Sequence, residues 1–379
     1  MEEWFVDTPA QLSELCDRLE DCDAVAIDTE FLREKTYYAQ LCLIQIASKD
    51  LIACVDPLAI ENLKPFLDLL YEPQRTKVLH SARQDLEIFF DWRGELPRPI
   101  FDTQIAATLL GYGDQLGYAK LVQGMLGQTI NKEHARTDWT RRPLEEAQLQ
   151  YAMDDVRFLL PIYEEQLQRL KARGRERWLE DDFERLTDTR LYLPDPAELW
   201  RRVKGARNLK PKQLVVLQQL ARWREDRARD SNRPRKWLLS DDVMVDIARR
   251  SPSSLEALEK IRGWNSFTKK HAQDILEQIR LARSIPEQQW PVAERITSLS
   301  VQQEAMVDLL MSLVRVRAME NDVTPAVLAT RKDLEHLVLD RNNGAVLTGW
   351  RYELVGKELI ECLNGEKIIT IQDNNVVIR

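Results

Sequence analysis

The chain has 379 residues, 44% of them apolar and 31% charged, a composition that buries sizeable cores, supplies two or three domains and excludes a disordered chain. No apolar run approaches the roughly 18–20 residues of a membrane helix, and the acidic start "MEEWFVDTPAQ" lacks a basic-then-apolar leader. Five scattered cysteines (Cys16, Cys22, Cys42, Cys54 and Cys362) and four histidines argue against a disulfide frame, a zinc site or a His-rich metal cluster.

A cytoplasmic protein with no membrane partner is therefore expected. Its net charge of −8 is unevenly spread. Residues 1–150 hold 15 Lys and Arg against 26 Asp and Glu, a balance of −11, whereas residues 201–285 hold 21 against 10, a balance of +11. A basic module inside an acidic chain suits a polyanion such as nucleic acid.

The first half alternates strand and helix patterns. Strands are predicted over 24–30, 40–47 ("QLCLIQIA"), 51–55 ("LIACV") and 77–80 ("KVLH"), and helices over 9–20, 61–70, 83–91, 103–110, 116–126 and 144–160. Early β-rich runs followed mostly by helices describe a mixed α/β sheet domain. Pro161 lies in helical sequence and should kink or restart it. "RLYLPDPAEL", 190–199, carries two prolines in three residues and reads as a linker.

From 208 onward strand signals nearly vanish. Leu214, Leu217, Leu220 and Trp223 recur at helical spacing with basic residues between them, and Ser240 is placed as an N-cap. A loose repeat at an offset of 90 pairs Leu209, Leu220, Ala228, Leu238 and Ser240 with Leu299, Leu310, Ala318, Leu328 and Thr330. The final "KIITIQDNNVVIR" alternates around Asp-Asn-Asn and suggests a hairpin.

The stretch "AVAIDTEF", 24–31, sets Asp28 and Glu30 on one strand face and Val25, Ile27, Thr29 and Phe31 on the other. Two like charges on one face repel, so a positive partner is expected beside the small alanines. Asp85 follows a short strand in the first turn of a helix, where a dipole-complementing or capping role would suffice. Tyr151 and Asp155 are four apart and share a helix face, with Asp154 turned about 100° away. Asp102 reads as an N-cap, and His80 as a hydrogen-bonded structural residue.

In order and type, Asp-x-Glu, then Asp, then Tyr-x-x-x-Asp resembles the DEDDy 3′→5′ exonuclease superfamily. "DTEFLREKTYYAQLCLIQIA", "HSARQDLEIF", "FDTQIAATLLGYG", "DWTRRPL" and "YAMDDVRFLLPIYE" are similar to ribonuclease D, and "WRRVKGARNLKPKQLVVLQQLARWRE" resembles that family's junction into its helicase-and-RNase-D-C-terminal (HRDC) domains. The resemblance implies an α/β exonuclease domain, a ribonuclease H-like mixed sheet flanked by helices, over 1–195. Two small all-α HRDC-type domains would follow, over 208–288 and 296–372.

The resemblance further implies that Asp28, Glu30, Asp85 and Asp155 bind two divalent ions, Mg²⁺ or Mn²⁺, and that Tyr151 orients the attacking water and helps to deprotonate it. Hard oxygen ligands suit those ions. The substrate would be RNA with a free 3′ end, transfer RNA precursors first, cut to 5′-mononucleotides by a monomer. Phe31, by the family pattern, would lie against the terminal nucleotide, although strand alternation also makes it a core residue. Tyr37 and Tyr38 are candidate stacking platforms. Arg222, Arg224, Arg227 and Arg229 would present a basic surface to RNA, while Trp223 is assigned to the core. Two other readings are a DNA 3′→5′ exonuclease on the same fold and an RNA-binding scaffold with an inactive nuclease domain.

Overall fold

A computed structural model describes residues 1–130, 137–292, 299–342 and 344–379; residues 296–298 and 343 of the predicted second helical module fall outside these. The nuclease half is a six-stranded sheet. Its strands are β1 (Glu2–Val6), β2 (Ala24–Leu32), β3 (Gln40–Ala47), β4 (Leu51–Val55), β5 (Thr76–Leu79) and β6 (Ile100–Asp102), in the order β1-β4-β3-β2-β5-β6. β3 pairs antiparallel with both β2 and β4, whereas β1 joins β4, β5 joins β2 and β6 joins β5 in parallel.

The helices α1 (Pro9–Leu19), α2 (Lys64–Leu70) and α3 (Arg83–Arg93) cover one face of the sheet. Leu12, Leu15, Phe66, Leu86 and Phe89 pack there on Val25, Ile27, Ile44 and Ile46. On the opposite face lie α4 (Thr103–Thr108), α5 (Tyr118–Leu126), α6 (Glu146–Arg157) and α7 (Leu159–Ala172), with Ala106, Ala152, Met153 and Val156 on Ala26, Leu43 and Val78. The period-2 pattern of β2 thus divides its side chains between two cores, as strand geometry requires.

Three features depart from the sequence-based expectation. β1 and β6 were not predicted: β1 is a short acidic-and-aromatic segment, and β6 has only three residues, too few for a periodic signal. The helix expected over 144–160 is broken at Phe158, and Pro161 sits in the first turn of α7, where its missing N–H has no partner to lose. The Tyr118 hydroxyl spans the break, accepting from the Phe158 N–H (3.1 Å) and donating to the Asp154 carbonyl (3.2 Å).

After α8 (Glu180–Leu186) come two helical modules. The first contains α9 (Pro211–Asp230), α10 (Arg235–Leu238), α11 (Asp241–Arg250), α12 (Leu255–Glu259), α13 (Ser266–Lys270) and α14 (Ala272–Ser284). Its core takes in Leu199 and Trp200, so the predicted linker already feeds it at its last residue. The second contains α15 (Val301–Glu320), α16 (Pro325–Leu328), α17 (Arg331–Leu339), α18 (Gly349–Arg351) and α19 (Lys357–Leu363). It ends in a hairpin of β7 (Ile369–Gln372) and β8 (Asn375–Ile378), whose turn residues Asp373 and Asn374 both have positive φ.

The repeat is real in three dimensions. α9 and α15 are each 20 residues long and start 90 residues apart, as do α10 with α16 and α11 with α17. Ser240 and Thr330 cap equivalent helices, and Asn232 and Asp322 adopt equivalent left-handed turns, with φ of 47° and 49°. Both turns dock on the nuclease domain. At the second, the Thr324 N–H donates to the Thr108 carbonyl (2.9 Å), the Gly113 N–H donates to the Thr324 hydroxyl (3.1 Å), and buried Arg175 donates to the Asn321 and Leu109 carbonyls. Trp178 and Trp350 stack across the same contact, 4.4 Å between centroids.

Candidate active site

β2 and β5 run parallel and pair only as far as Ala26 and Val78, so the second half of β2 and the residues that follow β5 share one rim of the sheet. Open α/β sheets bind ligands at such carboxyl ends. Asp28 and Glu30 lie near the end of β2, half-buried, on the face covered by α6. There Asp155 and Tyr151 approach from α6, joined by a hydrogen bond between the phenol and the carboxyl. Asp154 on the same helix turns away and accepts from Arg157 Nε at 2.7 Å, consistent with its weaker standing in the sequence.

Asp85 arrives from the other core. The β5–α3 connection passes through Ser81, at φ 61°, and is tied down by Asp102. The buried Asp102 carboxylate caps α4 through the Gln104 and Ile105 N–H groups (2.8 and 3.3 Å). It also accepts from the N–H groups of Ser81 (3.1 Å) and Ala82 (2.9 Å). The predicted N-cap is therefore also the residue that fixes the start of α3, three residues before Asp85. The Thr29 hydroxyl, pointing off β2 on that side, donates to Asp85 Oδ1.

Electrostatically the four carboxyls form one unit. Burial, then repulsion from Asp85, Asp155 and Glu30, raises Asp28 well above the ordinary carboxylate range. Burial, then repulsion from Asp155 and Asp85, pushes Glu30 up to about 8. Burial raises Asp85 and Asp155 to about 7 each, opposed by hydrogen bonds from Thr29 and Tyr151 respectively. Burial and the surrounding carboxylates raise the Tyr151 phenol as well.

Among the described residues, no Lys, Arg or His forms an ion pair with any of the four. Nor do three His, Cys, Asp or Glu side chains there close on one point as a ready-made metal cage. Four oxygen-donor groups held together, with no cationic side chain paired to them among the described residues, are the donor set of a hard divalent ion.

Several supporting residues escaped the sequence reading. Gln45 stands directly across from Asp28 on β3, fully buried, with neither amide atom hydrogen-bonded. The β2–β3 register slips between Glu30 and Phe31, leaving Cys42 as the extra residue, and bulges of this kind re-aim side chains beside active sites. Arg142 donates to the Cys42 carbonyl (2.7 Å) and pairs with Asp56 (2.5 and 2.8 Å). It holds the loop that presents buried Trp139 to Tyr151, 6.1 Å between ring centroids. The only signal for this was the family-like text "DWTRRPL". Arg142→Ala should lower kcat about 10-fold with little change in KM, because it loosens the support of Tyr151 and touches no substrate; steady-state kinetics on RNA measure it.

The predicted substrate residues separate. Phe31 is half-buried and packs against the first core, as alternation required. Arg222 and Arg227 are exposed, the latter 3.2 Å from Asp274. Trp223 is a core residue. Two expectations need correction. Arg224 is buried, donating to Asp241 (2.7 Å) and the Leu239 carbonyl (2.8 Å), because its place on α9 faces α11 rather than solvent. Tyr37 is not an open platform: its hydroxyl donates to Glu225 (2.5 Å), and the Arg235 guanidinium lies 4.6 Å from its ring centroid. His80 is structural, bonded to the Thr103 hydroxyl (2.9 Å) and the Leu116 carbonyl (3.0 Å).

Comparison with known proteins agrees with this fold. Residues 4–171 match a family of 3′–5′ exonucleases and residues 213–279 match the HRDC domain. The chain is 39% identical to "Ribonuclease D" of Nitrobacter hamburgensis, covering 98% of each chain, and 36% identical to that of Bartonella henselae, over 92% of this chain and 87% of that one. The crystal structure of Escherichia coli RNase D, titled an exoribonuclease involved in structured RNA processing, superposes with a TM-score of 0.84 at 31% identity, over 96% of this chain and 99% of that one.

Proposed function

Since the chain belongs to the ribonuclease D family and is a 3′→5′ exoribonuclease, we propose that Asp28, Glu30, Asp85 and Asp155 hold two divalent ions, Mg²⁺ or Mn²⁺, and that RNA is shortened by hydrolysis at its 3′ end. The observation that carries this is the set of four carboxyls, each raised by burial, with no cation among the described residues to balance them. Bound there, the ions would supply a water nucleophile near neutral pH and neutralise charge on the leaving oxygen.

The chain's own residues do the positioning. Asp28, whose carboxyl is repelled by each of the other three, would help to hold both ions. Glu30 and Asp155, with Tyr151 on Asp155, flank the attacking water, and the raised phenol keeps its proton and orients that water by hydrogen bonding. Asp85, restrained by Thr29, completes the second position. The products are 5′-mononucleotides.

The acidic nuclease domain grips a phosphate backbone poorly by itself. The exposed Arg222 and Arg227 on the basic first module supply the wider electrostatic handle, with Phe31 near the terminal nucleotide. Maturation of the 3′ ends of transfer RNA and other structured precursors, by a cytoplasmic monomer, is the cellular role that fits. No helix among the described residues is long and apolar enough to cross a membrane.

The test is 5′-labelled single-stranded RNA and matched DNA, with Mg²⁺, Mn²⁺ or EDTA. RNA shortening from the 3′ end, lost with EDTA, is expected. Tyr151→Phe should lower kcat on the order of 10²-fold while leaving RNA affinity unchanged. Undiminished turnover in EDTA, or a fully active Tyr151→Phe, would overturn the assignment.

A further inference from the structure

The loop between β2 and β3 begins one strand-end beyond Glu30 and does not end in solvent. Asn232, at the left-handed turn after α9, accepts from the backbone N–H groups of Tyr37 (3.0 Å) and Tyr38 (3.1 Å). The Tyr37 hydroxyl donates to Glu225, a buried residue of α9 that also pairs with Arg235 (2.7 Å). Arg235 donates to the same hydroxyl at 3.1 Å and lies over the ring.

From Tyr37 the connection runs back into the nuclease domain. Arg33 donates to the Tyr37 carbonyl (3.2 and 3.3 Å) and forms a bidentate pair with Glu87 (3.0 and 2.7 Å). Glu87 is on α3, two residues after Asp85. Paired forks of this kind fix geometry as well as charge. One continuous set of polar contacts therefore links α9 of the helical module to both segments that carry Glu30 and Asp85.

We propose that this node is a positioning device: docking of the first helical module, through Asn232, Glu225 and Arg235 on Tyr37, holds the β2–β3 loop and α3 so that Glu30 and Asp85 keep the spacing the ions require. The module then acts on the chemical step as well as on RNA capture. The inference rests on the reading of these carboxylates as metal ligands. It is supported by the repeat, since the equivalent turn of the second module is also a docking point.

The test uses the full chain carrying Tyr37→Phe, which removes only the hydroxyl, or Asn232→Gly, which keeps the left-handed turn and removes only the amide. Mn²⁺ affinity is measured by titration calorimetry without RNA, and kcat and KM on a tetranucleotide RNA, which offers little backbone to the basic module. Each variant should bind Mn²⁺ about 3- to 10-fold more weakly, at or below the lower end of outer-shell effects, because the contacts act through an intervening loop and helix. Each should lose a similar factor in kcat at fixed Mn²⁺ with KM unchanged, and recover when Mn²⁺ is raised. Unchanged Mn²⁺ affinity and kcat in Tyr37→Phe overturn the proposal, whatever happens to binding of long RNA. Should Asn232→Gly be unfolded by circular dichroism, Tyr37→Phe alone decides. Asp28→Ala, run in parallel, separates the two readings: if it still binds Mn²⁺ and turns over, the metal assignment itself is wrong.

Discussion

Asp28→Asn is expected to abolish exonuclease activity and, in the metal-free protein, to raise stability. The first effect should be on the order of 10³-fold or more in kcat, because the metal-dependent stabilisation removed amounts to several kcal/mol. The second follows from linkage. Burial first of all pushes the carboxyls of Glu30, Asp85 and Asp155 up to about 8, 7 and 7 in the folded chain, and burial, then its three carboxyl neighbours, raises Asp28 well above the ordinary carboxylate range. In the unfolded chain such groups titrate near 4.

Between those values the folded state holds more protons than the unfolded state, so stability falls as pH rises from about 4 to about 8. Neutralising Asp28 removes one unfavourable charge and relieves the others. The metal-free variant should therefore melt several degrees above the metal-free parent at pH 8 and match it near pH 4. Mg²⁺ or Mn²⁺ should raise the parent's melting temperature at pH 8 and leave the variant nearly unmoved. Calorimetric melts at the two pH values, with and without metal, check each part. A variant less stable than the parent at pH 8 would refute the electrostatic account.

Arg75→Ala carries the largest expected loss of stability, about 4 kcal/mol, read as a shift of the urea midpoint. Arg75 is fully buried, and its guanidinium donates to the carbonyls of Leu19 (2.9 Å), Glu20 (2.7 Å), Cys22 (3.1 Å) and Leu69 (2.7 Å), and to Glu72 (2.6 Å). It closes the C-terminal ends of α1 and α2 at once. Truncation takes a donor from four carbonyls, of which Leu19 and Leu69 keep a backbone one (the Cys22 N–H at 3.1 Å and the Glu72 N–H at 3.4 Å), and opens a cavity of side-chain size. Arg75→Lys should recover only part of the loss, since an ammonium cannot reproduce the planar fork. Arg75 precedes β5, while Asp28 and Glu30 lie in the second half of β2 and Asp85 follows the far end of β5, so kcat at a temperature where the variant stays folded should be close to normal. A loss below about 1 kcal/mol would show that water satisfies those carbonyls.

What the sequence determined by itself was local or periodic. β3 and β4 were legible to the residue, and β2 nearly so, because alternation and continuous apolar runs are backbone-period signals. The pairing of Tyr151 with Asp155 and the turning away of Asp154 follow from 3.6 residues per turn. The cap at Ser240 and the turn at Asp373 and Asn374 follow from residue chemistry that acts within three or four positions. That Asp28 and Glu30 share one face was legible from strand alternation, although the four-carboxyl set emerged only through its likeness to a family.

Tertiary structure alone decided whatever depends on partners distant in sequence. β1 is a strand because β4, some fifty residues away, accepts it in parallel. Arg224 and Arg222 are both arginines on α9, and only packing against α11 buries one and leaves the other exposed. Tyr37 became a contact between modules because Asn232 and Glu225, nearly two hundred residues later, meet it. Gln45, Arg75 and Arg142 carry no local signal, since each acts on acceptors or neighbours brought close by the fold. Side-chain period and capping act over one or two turns of chain, whereas burial, charge compensation and docking are properties of the assembled surfaces, where chain distance no longer measures proximity.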